Sequence, residues 1–159
     1  MALVERMQET TQVGYWEGEI PLEYIYTCGR AGEAFFRHLM EKGSFLGARC
    51  DTCQKTYVPP RIYCEKCFNR LEESYVDVGK RGTVHTFSIL YKNLDGSAKE
   101  EPVVMAMIRL DGTSGGLVHY LGQVKPEEVQ IGLPVEAVLK PKKERQGSIT
   151  DIKYFKPVS

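Results

Sequence analysis

The chain has 159 residues, enough for one compact domain or two small ones. Hydrophobic residues make up 42% and charged residues 26%, which excludes a disordered tail. Lysine plus arginine equals aspartate plus glutamate at 21 each, and a net charge of zero argues against a dedicated nucleic-acid binder.

The first residues, 1–11, lack a basic segment followed by an apolar one, so they do not read as a secretory signal. No apolar run is long enough to cross a bilayer. The expected setting is the cytoplasm, with reduced cysteines. Residues 1–13 are polar and without period. Residues 14–27 hold Tyr15, Trp16, Tyr24 and Tyr26 around Pro21, with no helical or strand pattern. Such an aromatic arm has two readings. It lies across its own domain, or it docks on another subunit, where Trp and Tyr are favoured anchors.

A helix is expected over 30–42. Phe35 and Leu39, and Phe36 and Met40, are spaced i,i+4, while Arg30, Glu33, Arg37 and Glu41 alternate in sign on the other side. Gly43 follows as a C-terminal cap. A small ribbon cannot cover both phenylalanines, so this helix and the arm are expected to carry much of a subunit contact. Cys28, just before the helix, has no cysteine at ligand spacing and reads as a small half-buried residue. His38 reads as solvated or packed.

Two Cys-x-x-Cys pairs follow: Cys50 with Cys53, and Cys64 with Cys67, separated by ten residues. Each pair folds into a knuckle that aims two thiolates at one point. The connecting residues, 54–63, need only go out and back, stiffened by Pro59 and Pro60. Three chemistries use such pairs: a structural zinc site, disulfides, or a thioredoxin-like redox motif. Two pairs in register favour four-thiolate zinc, with Cys50, Cys53, Cys64 and Cys67 as ligands. A cage closed by four protein ligands has no open position, so the metal would hold the fold and not catalyse. Around the cage Arg49, Lys55, Arg61, Lys66 and Arg70 outnumber Asp51 and Glu65. That surplus neutralises the thiolates, or in part faces an anionic ligand. Gln54 stands where zinc ribbons commonly carry glycine.

Beyond residue 75 the pattern changes to period two. Val84, Thr86, Ser88 and Leu90 alternate with His85, Phe87, Ile89 and Tyr91. Further strands are expected over 103–110, 116–121, 133–140 and 148–155, with a helical turn at 126–129. The loop 141–147 reads as a solvated hairpin tip. Five short strands with a turn between the third and fourth fit an OB-type barrel, which removes the sheet edges. The fold class is therefore mainly β with an N-terminal helical segment. No catalytic constellation is visible: His38, His85 and His119 lie in three different elements, and no phosphate loop or nucleophile elbow is present.

The order of parts runs from Phe35-Phe36 through Gly47-Ala48-Arg49-Cys50-Asp51-Thr52-Cys53, Val58-Pro59-Pro60-Arg61 and Cys64-Glu65-Lys66-Cys67 to Phe155-Lys156-Pro157. It resembles the zinc-ribbon OB-fold family of acyl-CoA-associated proteins, long grouped as a domain of unknown function. The resemblance covers residues 15–157; the cysteine and Pro-Pro-Arg motifs are specific and the barrel residues are not. It implies an arm and helix (1–44), a rubredoxin-like zinc ribbon (45–75) and an OB-fold barrel (76–159). It also implies a non-catalytic accessory subunit in a hetero-oligomer. The partner would be a thiolase-like or 3-hydroxy-3-methylglutaryl-CoA-synthase-like catalytic subunit, whose CoA or acyl-CoA site this chain would help to shape. Arg49, Arg61 or Arg70 would point toward CoA phosphates. From another class, a single-stranded nucleic-acid module also uses OB barrels and zinc ribbons, but the balanced charge speaks against it.

Overall fold

The computed structural model describes residues 26–93 and 95–158. The arm, residues 15–26, lies outside them except for Tyr26, which is exposed. No helix among the described residues is long and apolar enough to cross a membrane.

Helix α1, Gly29–Lys42, forms where the apolar spacing places it and buries Ala31, Phe35 and Leu39. Gly43 ends it in the left-handed region at φ 74°, donating its N–H to the Leu39 carbonyl at 3.1 Å. A Cβ there would also sit 2.6 Å from Nη1 of Arg145. Arg145 Nη1 donates to the Met40 carbonyl at 3.4 Å and its Nε to the Lys140 carbonyl at 2.8 Å. The loop 141–147 is the expected exposed tip of its hairpin, except at Arg145 and Gly147, which are half-buried. Its arginine is a cap, placing positive charge on carbonyls that the helix leaves unpaired.

Three strands follow: β1 (Phe45–Cys50), β2 (Lys55–Tyr57) and β3 (Tyr75–Gly79), in antiparallel order β2-β1-β3. The second sheet has β4 (Arg81–Lys92), β5 (Ala98–Leu110), β6 (Gly116–Tyr120), β7 (Pro134–Leu139) and β8 (Ile152–Pro157). Its order is β6-β5-β4-β7-β8. A parallel bridge between Leu121 and Phe155, with the Gly122 N–H donating to the Phe155 carbonyl at 2.8 Å, closes the sheet on itself. This is the five-stranded barrel the sequence predicts, with a 3-10 turn at Pro126–Glu128 between β6 and β7.

Three details differ from the sequence expectation. The β4–β5 hairpin is longer than the apolar runs indicate. The register shifts between Val84 and Thr86, so the strict alternation is broken. Val84 faces the core before the shift, and Phe87 and Ile89 pack against it afterwards. The last strand starts at Ile152, because residues 149–151 form a 3-10 turn capped by Ser148.

One core joins all parts. Phe35 of α1 stacks on Phe45 of β1 at 6.1 Å, and Phe45 stacks on Phe155 of β8 at 6.0 Å. All three are buried. Phe35 is therefore covered by its own chain and is no subunit anchor, contrary to the sequence expectation; the barrel supplies the cover that the ribbon lacks. At the ribbon–barrel junction the Ser114 N–H donates to the Thr56 carbonyl at 2.8 Å. Gly115 lies so close that a Cβ would sit 2.5 Å from the Val58 carbonyl oxygen.

Asp151 is a fully buried carboxylate. It accepts the backbone N–H groups of Gln146 at 3.0 Å, Gly147 at 2.8 Å and Ser148 at 3.2 Å. Burial opposes its ionisation, but the three amides outweigh burial and hold the carboxyl below its usual range. A depressed folded pKa contributes stability above the unfolded carboxylate value, near about 4, and loses it as pH falls through the folded value. Asp151→Asn is expected to cost roughly 1–3 kcal/mol at neutral pH and to flatten the acid limb of stability. Urea unfolding at neutral and acidic pH checks both.

Candidate metal centre

The four Cys-x-x-Cys thiols meet at one point. Cys50 ends β1 and Cys53 follows in the turn to β2, while Cys64 and Cys67 lie in the turn that faces it. Backbone bonds set the second knuckle: the Cys64 N–H donates to the Asn69 carbonyl at 2.9 Å and the Leu71 N–H to the Ile62 carbonyl at 2.7 Å. Asn69 Nδ2 donates to Thr52 Oγ1 at 2.8 Å and ties the two knuckles together.

The residue after each knuckle has positive φ, Gln54 at 50° and Phe68 at 59°. Glycine would adopt this without cost. Gln54 offsets the strain locally, because Nε2 donates to the Asp51 carbonyl and Oε1 accepts from Arg49 Nη2 at 3.0 Å.

The sulfurs of Cys50 and Cys67 lie 3.5 Å apart, those of Cys53 and Cys64 3.8 Å apart, and all four are within 4.8 Å of one another. A tetrahedral zinc with bonds of about 2.3 Å spaces its sulfurs by about 3.8 Å. A disulfide needs about 2.05 Å. The geometry fits zinc and excludes paired disulfides in this form. Cys50 and Cys64 are buried, Cys53 and Cys67 half-buried, and Ala48, Tyr57 and Leu71 pack around them.

The thiols are not equivalent. The Tyr57 hydroxyl lies 3.3 Å from Cys64 Sγ and the Lys66 N–H donates to it at 3.4 Å. The Tyr57 hydroxyl, then the backbone amides of Cys67 and Lys66, bring Cys64 down to about 6. The hydrogen bond with Cys67, together with burial, pushes Cys53 up to about 12. The Tyr57 hydroxyl and the Lys66 amide thus favour the thiolate form of Cys64, the form in which a cysteine binds a metal.

Residues 41–72 match the ChsH2 rubredoxin-like zinc ribbon domain, and residues 75–140 the ChsH2 C-terminal OB-fold domain. A DUF35 domain-containing scaffold protein of Methanocaldococcus jannaschii is 34% identical over 125 residues, spanning 77% of this chain and 88% of that relative. The chain belongs to the DUF35 family. Another such scaffold protein, from Pyrococcus furiosus, is 29% identical over 126 residues, 78% of this chain and 90% of the relative. The crystal structure of a DUF35 protein of unknown function from Sulfolobus solfataricus aligns with TM-score 0.65 and 28% identity, covering 82% of this chain and 87% of that one. A chain of an Ltp2-ChsH2(DUF35) aldolase aligns with TM-score 0.55 and 22% identity over 79% of this chain and 93% of that one, a likeness of fold.

In this DUF35 chain each arginine around the cage pairs with a carboxylate and stays solvent-exposed. Arg49 pairs with Asp51 at 3.4 Å and Arg61 with Glu65 at 2.8 Å, its guanidinium 5.1 Å above the Tyr57 ring. Arg70 Nε donates to Glu72 at 2.8 Å, and the other oxygen of Glu72 lies 2.6 Å from Arg30 of α1. The partners of these three arginines are carboxylates and not the thiolates whose neutralisation the charge surplus suggests.

The histidines do not form a site. His85 and His119 stand on β4 and β6 with β5 between them. His119 packs on Phe155 and Tyr120, and burial holds its pKa below the usual range. Cys28 is exposed, not half-buried as its sequence position suggests.

One cluster was not visible in the sequence. His38 Nε2 lies 3.0 Å from Asp77 Oδ2 and 3.1 Å from Ser44 Oγ, and Ser44 donates to the same carboxylate at 2.6 Å. The residue types are those of a hydrolytic triad, but the geometry is not. A triad places acid and hydroxyl on opposite ring nitrogens. Here both face Nε2 and the hydroxyl is spent on the acid. The cluster is a latch between α1 and β3.

Proposed function

We propose that this chain is a non-catalytic accessory subunit of a thiolase-superfamily acyl-CoA enzyme. It binds the catalytic subunit and helps to shape its CoA or acyl-CoA site. Membership of the DUF35 family, with relatives named scaffold proteins, carries the reading. The fold shared with the DUF35 component of an aldolase points the same way. The chemistry agrees: among the described residues no nucleophile and base share a site, so the reacting groups belong to the partner. The partner is a thiolase-like or 3-hydroxy-3-methylglutaryl-CoA-synthase-like subunit, in the cytoplasm. Cys50, Cys53, Cys64 and Cys67 hold one structural zinc. The three units are the arm and helix (1–44), the ribbon (45–75) and the barrel (76–159).

Phe68 is the contact residue we assign first. It is 76% exposed at the tip of a knuckle, and it keeps a left-handed backbone where glycine would be easier. A strained, solvent-exposed aromatic has its rationale outside the isolated chain. Phe68→Gly is expected to leave the isolated chain as stable or up to ~1 kcal/mol more stable, by releasing the backbone. The same change should weaken binding to the catalytic subunit by about 2 kcal/mol, or about 30-fold. Co-expression with the catalytic subunit, followed by calorimetric titration of both forms, tests the reading. Absence of a complex with the unmodified chain overturns it; equal affinity of the two forms moves the contact away from the knuckle.

A further inference from the structure

The β4–β5 hairpin projects beyond the rest of the barrel. β4 pairs with β7 only over Arg81 to Thr83, and the last backbone bonds on that side join Val84 to Leu133 and Gly132. From residue 85 to 91 this edge of β4 has no strand beside it among the described residues. The opposite edge of the same hairpin is also open, because β6 pairs with β5 only over Met105 to Arg109.

The two open edges differ in chemistry. The β5 edge reads Ala98, Lys99, Glu100, Glu101, Pro102, Val103. Charges and proline are how a sheet prevents another strand from joining it. The remaining short edges are guarded too: β2 has three residues and is followed by Pro59 and Pro60, and β3 carries Asp77 at its centre. The β4 edge reads His85, Thr86, Phe87, Ser88, Ile89, Leu90, Tyr91. It has no acid, no lysine, no arginine and no proline, and β-branched and aromatic residues dominate it. An unguarded edge of this length is an aggregation hazard unless a strand covers it.

We propose that a second copy of this chain covers it, β4 against β4 in antiparallel register about a two-fold axis at Ser88. The choice of occupant rests on self-complementarity. A two-fold sets each residue opposite its mirror position. Thr86 then meets Leu90 on the outer face, Phe87 meets Ile89 on the core-facing side, and His85 meets Tyr91. No like charges oppose one another, and Lys92 falls beside Val84. The pairing supplies roughly six to eight backbone hydrogen bonds. It joins the two barrels into one continuous sheet, and none of the four clustered cysteines belongs to the paired segment. The accessory subunit would thereby bring two partner-binding surfaces into one particle, although the pairing itself does not depend on that role.

Sedimentation of the full zinc-loaded chain from micromolar to near-millimolar concentration tests this directly. The expected result is a monomer–dimer equilibrium. Ser88 is exposed on the outer face, so Ser88→Lys or Ser88→Glu should fold with unchanged melting temperature. Each variant alone places like charges together on the axis and should raise the dimer dissociation constant at least about tenfold. An equimolar mixture of the two should recover a heterodimer. Hydrogen exchange of the unmodified chain supplies a readout without mutation, with amides 85–91 gaining protection as concentration rises. A chain that stays monomeric throughout, or dimers that survive Ser88→Lys and Ser88→Glu unchanged, overturns the proposal. If amides 85–91 are protected only when the catalytic subunit is added, the edge takes a strand of that protein and the second copy is excluded.

Discussion

Cys64→Ser and Cys53→Ser are each expected to yield protein that is insoluble or has lost its ribbon. The core of the ribbon is small: beside the four thiols it buries Ala48, Tyr57 and Leu71, with Tyr75 at its edge. Structural zinc in such a setting contributes an apparent ~10–16 kcal/mol at neutral pH. That equals or exceeds the whole net stability of an ordinary domain, about 5–15 kcal/mol. A serine in place of Cys64 removes the thiolate that Tyr57 and Lys66 are arranged to stabilise. Elemental analysis should find one zinc per unmodified chain and well under one in either variant. Cys28→Ser is the internal control, because Cys28 is exposed and stands apart from the cluster of four thiols. It should keep full zinc and full solubility. Zinc at the unmodified level in Cys64→Ser would show that the metal is held elsewhere.

Phe45→Ala should have the second-largest effect. Its ring is fully buried between Phe35 of α1 and Phe155 of β8. Truncation leaves a cavity where helix, ribbon and barrel meet, at a cost of about 3–5 kcal/mol. Because Leu46 and Val58 of the ribbon segment share this core with the barrel, the loss should appear as one lowered cooperative transition. A variant whose helix melts separately while the barrel keeps its original midpoint would show that the stack does not couple them. Far-ultraviolet circular dichroism against denaturant, which follows helix and strand together, is sufficient to tell the two apart.

What the sequence discloses and what it withholds divide by range. The ribbon is legible because its chemistry is written in spacing: two pairs of cysteines ten residues apart admit few geometries. Helix α1 is legible from the i,i+4 repeat and Gly43, and the barrel from five short runs broken by turn residues. Features that depend on distant residues are not legible. Phe155 completes a stack begun more than a hundred positions earlier, and Arg145 caps a helix 105 residues before it. The latch of His38, Ser44 and Asp77 needs β3 to run beside the end of α1. The shift after Val84 leaves no mark, since both phases of that strand are composed of plausible strand residues. The open edge of β4 is set by where β7 stops, which is a property of the closed barrel and not of β4 itself. Glu72 joins Arg70 beside the cage to Arg30 of α1, a link that the cysteine spacing does not disclose.

The central claim is that the chemistry belongs to a partner, and turnover decides it most directly. Acyl-CoA thioester cleavage and condensation should be measured with the zinc-loaded chain purified alone, with the thiolase-like subunit alone, and with the two together. The account predicts no turnover by this chain alone and higher turnover by the complex than by the catalytic subunit alone. Turnover by this chain that persists after every trace of the catalytic subunit is removed would contradict it.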